Sequence, residues 1–147
     1  MSVMRDLRES FPEGTMLFPM TSASPTVTSV RVKNLVNGGI STFFEVMEEF
    51  MISETAEDNI LFQVKNRPGG EDDKVVFYGD HMWPERFGTL FDRSKGYPAH
   101  NLKDFDTLDN GAASDILKEL DNGSDFKLMI GHIIGIDSAG HTVGPFH

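Results

Sequence analysis

Two short apolar runs limit what this chain can become. Val75-Val76-Phe77-Tyr78 and the stretch from Leu128 to Ile136 show little polar alternation, so each reads as a strand covered on both faces. Gly79-Asp80 is expected to end the first, and the second is expected to run over residues 126–136. Between them, residues 107–120 carry the pattern of a helix, with Asp106 and Asp109 near its start and Asp121-Asn122-Gly123 as a closing turn. Upstream, residues 2–10 suit a short helix. Val32, Leu35 and Val36 at i, i+3, i+4 spacing mark a second, stopped by Gly38-Gly39. Further helices are predicted over 42–51 and about 56–65, the latter opened by acidic residues. Residues 81–103, rich in Phe, Pro and Gly, read as irregular. Strands and helices alternating in this order predict an α/β fold: a sheet with helices on both faces. In such sheets functional groups gather just beyond the carboxyl ends of strands, where Asp80 and Asp137 fall.

Composition narrows the function. With 147 residues and a formal net charge of -10, the surface is wrong for nucleic acid, which needs a basic stripe. No run approaches the ~20 apolar residues of a membrane-crossing helix. Met1 to Asp6 lacks the apolar centre of a signal peptide, so the stretch is expected neither to enter nor to span a membrane by itself. Cysteine is absent, which removes thiolate nucleophiles, disulfides and cysteine-ligated zinc. There is no Walker-type phosphate loop.

Three segments carry chemistry. In Asp137-Ser138-Ala139-Gly140-His141, a carboxylate and an imidazole four residues apart can reach one cation if the backbone turns between them, with Gly140 allowing the turn. The plainer reading is a strand-to-loop turn with a solvated Asp and His. In Ser24-Pro25-Thr26-Val27-Thr28, a hydroxyl is either an ordinary helix cap or a nucleophile at a helix N-terminus, where free N–H groups favour an alkoxide and a phosphate. In Phe77-Tyr78-Gly79-Asp80-His81-Met82-Trp83, the residues either line a pocket or end a strand with a helix-capping Asp. His132, inside an apolar run, reads as a satisfied core histidine. His100 and His147 have no evident partner, and Glu71 to Asp73 reads as a solvated loop.

Taken in order, the segments resemble one family, the GPI ethanolamine phosphate transferases. Pro25-Thr26-Val27-Thr28 with Gly38 and Phe43 resembles their nucleophile motif. Val76 to Trp83 resembles their Gly-Asp-(acidic)-x-Trp segment. Asp104-Phe105-Asp106-Thr107-Leu108-Asp109-Asn110-Gly111 resembles their Asp-x-Asp-Thr-Val-Asp-Asn stretch, and His132 to Pro145 resembles their metal motif. The match runs from about residue 15 to the end and is best to the enzymes acting on the second or third mannose. It departs from the pattern at Val30, Asn37, His81 and Ser138.

The resemblance implies a partial alkaline phosphatase-like α/β sheet covered by helices on both faces. It implies Thr28 as nucleophile, with Thr26 the neighbouring candidate, and Asp137 and His141 as ligands of one metal. Two zinc ions are implied for the whole protein. Phosphatidylethanolamine and the GPI precursor lipid are the implied substrates, with a small membrane-protein subunit as partner. The implied location is the endoplasmic reticulum membrane, with the catalytic domain luminal. The family's upstream Asp-x-x-Arg, its downstream Asp-His-Gly and its membrane spans are not in this sequence. Residues 1–147 are therefore expected to be one partial catalytic domain, inactive alone. Two alternatives stay open: another phosphodiesterase of the same superfamily, and a non-catalytic truncated product or acidic interaction module.

Overall fold

The computed structural model describes residues 2–22, 24, 26–41, 58–99, 101, 103–123 and 125–144. The helix expected over 42–51, and Phe43, His100, Pro145 and His147, lie outside the described residues. In chain order the elements are α1 (Ser2–Ser10), a 3-10 turn (Pro12–Gly14), α2 (Thr28–Asn37), α3 (Ile60–Asn66) and β1 (Lys74–Asp80). There follow α4 (Met82–Phe87), a second 3-10 turn (Gly88–Leu90), β2 (Arg93–Tyr97), α5 (Thr107–Asp121), β3 (Phe126–His132) and α6 (Gly135–Val143).

The three strands form one parallel sheet in the order β2-β1-β3. β1 is central, pairing Val76 with Arg93 on one side and Val75 with Leu128 on the other. Val75, Val76 and Phe77 are fully buried, as its unbroken apolar run predicts. Val75 and Phe77 point into a core with Val32, Val36, Leu61, Trp83 and Phe87. Each such side chain contributes about 1.5–3 kcal/mol on burial. The alternate residue Tyr78 points the other way, its hydroxyl donating to Glu119 of α5 at 2.7 Å. Burial, reinforced by that carboxylate, pushes the Tyr78 phenol up to about 12. The sheet thus carries helices on both faces, the expected α/β arrangement.

Several boundaries follow from local chemistry. α2 ends where Gly38 takes a left-handed conformation (φ 68°), as Gly38-Gly39 suggests. α3 starts not on acidic residues but on Asn59, whose side chain accepts from Phe62 N at 3.0 Å. α5 begins where Asp104 Oδ1 accepts from Thr107 N at 3.0 Å.

Two expectations need correction. Residues 81–103 are not irregular, since they contain α4 and β2. β2 has the sequence Arg-Ser-Lys-Gly-Tyr and flanks β1 at one side of the sheet, so it carries no apolar run to announce it. The second strand does not continue to Ile136. It stops at His132, and helix begins at Gly135.

Charge pairs tie α5 to the sheet. Lys95 Nζ and Tyr97 Oη donate to Asp115 Oδ2 at 2.7 and 2.5 Å. The bond from Lys95, then that from Tyr97, hold the Asp115 carboxyl at about 2, below the usual ~3.9. A carboxyl depressed in the fold gives its stability in full above its ordinary value and loses it as pH falls toward the folded one. Helical circular dichroism under denaturant titration should therefore show falling stability between about pH 4 and about pH 2. Asp115→Asn should flatten that slope. Phe77, stacked on Trp83 and Phe91 at 5.3 Å each, sits at the centre of the core. Phe77→Ala should lower the unfolding free energy by about 3–5 kcal/mol in the same experiment.

Candidate active site

α2 sets one wall of the site. Thr28, Val32 and Val36 are spaced i, i+4, i+8 and so share a helix face. Val32 and Val36 are buried in the core, and Thr28 carries the same stripe beyond it, exposed at the helix start. The cap position is Val27, whose side chain cannot cap the first turn. Thr28 occupies the first helical position rather than the cap position. Thr28 thus stands in the first turn of the helix, where N–H groups and the helix dipole favour an anion.

The opposite wall is β3 and the turn after it. A cavity of about 570 Å³ lies between the two, lined by Thr26, Thr28 and Arg31 from the α2 side and by His132 and Asp137 from the other, with Trp83 also in its lining. It lies where the carboxyl ends of β1 and β3 meet α2, the position expected for a site in a parallel sheet. Thr26, Thr28 and Asp137, singled out from sequence in two distant segments, are thus brought to one cavity. His141 is not part of its lining.

The last step of that wall depends on Asp109. Its Oδ1 accepts from Ile134 N at 2.9 Å and Gly135 N at 3.1 Å, and its Oδ2 lies 3.2 Å from Gly135 N. This caps the start of α6 from the neighbouring α5. A Cβ on Gly135 would stand 2.4 Å from Phe105 O and 2.6 Å from Asp109 Oδ2, so only glycine fits without a shift. The carboxylate thereby turns the chain from strand to helix two residues before Asp137.

Asp137 and His141 meet, but not as expected. No turn forms at Gly140, which lies inside α6 with open space where a side chain would be. The helix itself brings residues i and i+4 onto one face. Asp137 Oδ2 lies 3.6 Å from His141 Nε2, and the two side chains are 64% and 66% exposed. A carboxylate oxygen and an imidazole nitrogen on adjacent turns fit two of the four ligands of a tetrahedral zinc. Among the described residues no three such groups converge.

At the end of β1, Asp80 is buried, and its Oδ1 accepts from Met82 N at 3.0 Å with His81 Nδ1 at 3.2 Å. It serves as the helix-capping Asp, while Trp83 from the same segment does line the cavity.

Two cavity residues escaped sequence reasoning. Arg31 lies one turn after Thr28, and its Nε, buried, has no hydrogen-bond partner among the described residues. Its spacing from Thr28 was the available signal. His132 is a satisfied histidine, since its Nδ1 accepts from Trp83 Nε1 at 3.0 Å, yet it faces the cavity as well. Its alternation with Leu128 and Ile130 on β3 was the signal there. Burial pushes its pKa down, opposed by the charges of Asp80, Asp137 and Asp109.

Known proteins match along most of the chain. The chain is 31% identical over 147 residues to the GPI ethanolamine phosphate transferase 3 catalytic subunit of Homo sapiens, covering all of this chain and 13% of that protein. It is 30% identical over 138 residues to GPI ethanolamine phosphate transferase 3 of Schizosaccharomyces pombe, covering 92% of this chain and 14% of that protein. It is 32% identical over 133 residues to GPI ethanolamine phosphate transferase 2 of Aspergillus fumigatus, covering 87% of this chain and 17% of that protein. The chain is a relative of the GPI ethanolamine phosphate transferases. It spans 13–17% of the length of these three transferases. Transferases of both type 2 and type 3 match. No protein-family model matches the chain, and no solved structure does.

The stretch that resembles the transferases' Asp-x-Asp-Thr-Val-Asp-Asn segment now has a structural role: Asp104 caps α5 and Asp109 caps α6. Removing the Asp109 carboxylate leaves two backbone donors of a partly buried turn without their acceptor. Asp109→Ala should destabilise the protein by about 1–3 kcal/mol and speed amide exchange at Ile134 and Gly135. Protection at β1 should change far less, and hydrogen exchange resolved by residue checks both.

Proposed function

We propose that this chain is the part of a GPI ethanolamine phosphate transferase catalytic domain that holds the nucleophile and one pair of metal ligands. The domain would be alkaline phosphatase-like. Its reaction would move phosphoethanolamine from phosphatidylethanolamine to a mannose of the GPI precursor, at the luminal side of the endoplasmic reticulum membrane. Residues 1–147 would be one partial domain, with the remaining metal ligands and the membrane anchorage supplied by other parts of a longer protein. A small membrane-protein subunit would accompany the whole enzyme. No helix among the described residues is long and apolar enough to cross a membrane.

The observation that carries the reading is the shared cavity: Thr28, at the start of α2, lines it together with Asp137. In the first half-reaction the Thr28 hydroxyl oxygen attacks the phosphorus of the lipid phosphodiester. The bond from phosphorus to the diacylglycerol oxygen breaks, the diacylglycerol leaves with a proton, and phosphoethanolamine remains esterified to Thr28. In the second half-reaction a mannose hydroxyl attacks the same phosphorus, the Thr28 oxygen leaves, and the threonine regains its proton. Two easier displacements replace one difficult one.

Each residue has a task in this scheme. The N–H groups of the first turn of α2 would face the negative phosphoryl group. Arg31 adds a positive charge to the same cavity. Asp109 fixes the start of α6, and with it the position of Asp137. Asp137 and His141 would hold a divalent ion, two zinc ions being expected in the whole enzyme. Such an ion supplies a lower pKa for the attacking hydroxyl and charge neutralisation at phosphorus.

The test is transfer of labelled ethanolamine phosphate by the full-length protein in membranes. Thr28→Ala should reduce transfer by at least about 10³-fold, while Thr26→Ala stays within about tenfold. His141→Ala should lower both bound zinc and transfer. Full transfer by Thr28→Ala would contradict the assignment.

A further inference from the structure

The pairing of Trp83 with His132 has a chemical consequence. The indole N–H is a donor only, so the Nδ1 it meets at 3.0 Å must be an unprotonated acceptor. A neutral imidazole with a bare Nδ1 carries its proton on Nε2. Trp83 is held firmly enough to impose this. It is 4% exposed, stacks on Phe77 with ring centres 5.3 Å apart, leans on Phe87 at 5.7 Å and meets the His132 ring edge-on at 6.0 Å. The backbone of His132 is fixed too. It pairs with Gly79 of β1, where a Cβ would stand 2.2 Å from His132 O. With one ring nitrogen committed to Trp83, Nε2 is the polar edge that His132 has left for the cavity it lines.

We propose that His132 presents Nε2–H to a phosphoryl oxygen of the substrate as a fixed, neutral hydrogen-bond donor, with Trp83 as the positioning residue that selects this tautomer. The inference rests on the transferase reading of the cavity and adds a residue to it. A metal ligand needs a bare nitrogen. His132 has its bare nitrogen on the indole and its proton on the other, so its role differs from that of His141. The surroundings agree: burial disfavours the imidazolium, while Asp80, Asp137 and Asp109 favour it, and the balance lies with the neutral ring. A donor fixed in advance of reaction stabilises charge developing on phosphoryl oxygen without reorganising.

Substitutions separate the two nitrogens. A glutamine amide nitrogen reaches the place of Nε2, and an asparagine amide nitrogen reaches only that of Nδ1. In the full-length protein, H132Q should keep kcat for transfer within about tenfold, whereas H132N and H132A should lose about 10²-fold in kcat. Zinc content should be unchanged in all three. Alongside, nitrogen-15 spectra of labelled histidine in the unsubstituted protein should show His132 protonated at Nε2 and bare at Nδ1, with and without added zinc. W83F should convert that signal to a mixture of tautomers. H132Q falling as far as H132A, loss of zinc in H132A, or a proton on Nδ1 would each overturn the proposal. Thr28→Ala in the same assay separates the two levels. If it retains full transfer, the transferase site is misassigned. If it is inactive and H132Q matches H132A, only the donor role fails.

Discussion

The sheet and the helices packed against it are placed by β1. A strand paired on both edges and buried on both faces has no freedom left, and Val75, Val76 and Phe77 meet that condition with zero exposure. The odd residues hold α2, α3 and α4 on one side, and Tyr78 ties α5 to the other. The strand's last residues then serve the site. Gly79 (φ 148°) lets β1 run close against His132, and Asp80 caps the helix that delivers Trp83. The cavity is a product of this packing: one wall is the far end of α2's buried stripe, and the other is the far end of β3.

The site combines a rigid part and an open part. Thr28, Arg31 and His132 are carried by elements anchored in the core, which suits groups that must meet phosphorus within a fraction of an ångström. Asp137 and His141 stand on the exposed side of α6, where their carboxylate and imidazole remain available to a cation. Asp109 joins the two parts, because its carboxylate holds the first backbone amides of α6 against α5. Elsewhere the basic side chains Lys95, Arg93 and Lys74 are taken up by Asp115, Glu119 and Asp125 along the sheet. Arg31, at the cavity, has no such acidic partner for its Nε among the described residues.

How much of this was legible in the sequence depended on what signal each element gives. β1, α2 and α5 were legible because burial forces an apolar run or an i, i+4 stripe. β2 was not, because a strand flanking the sheet can be Arg-Ser-Lys-Gly-Tyr and still make its ladder. The end of β3 was misjudged because Ile133, Ile134 and Ile136 extend the apolar run. What ends the strand is a carboxylate 25 residues upstream of Ile134, which no local pattern reveals. The same division holds at the site. Thr28 and Asp137 announce themselves by residue type and neighbours. Arg31 and His132 matter through what they face, and facing is a tertiary property.

The central claim is that the Thr28 end of α2 and the Asp137–His141 pair form one site. Paramagnetic relaxation tests it most directly. Manganese(II) added to the protein should broaden the side-chain signals of Asp137 and His141 together with the methyl groups of Thr26 and Thr28, and His141→Ala should abolish all of this at once. Broadening at Asp137 and His141 that leaves the Thr28 methyl sharp, or broadening confined to the acidic loop from Glu71 to Asp73, would contradict it.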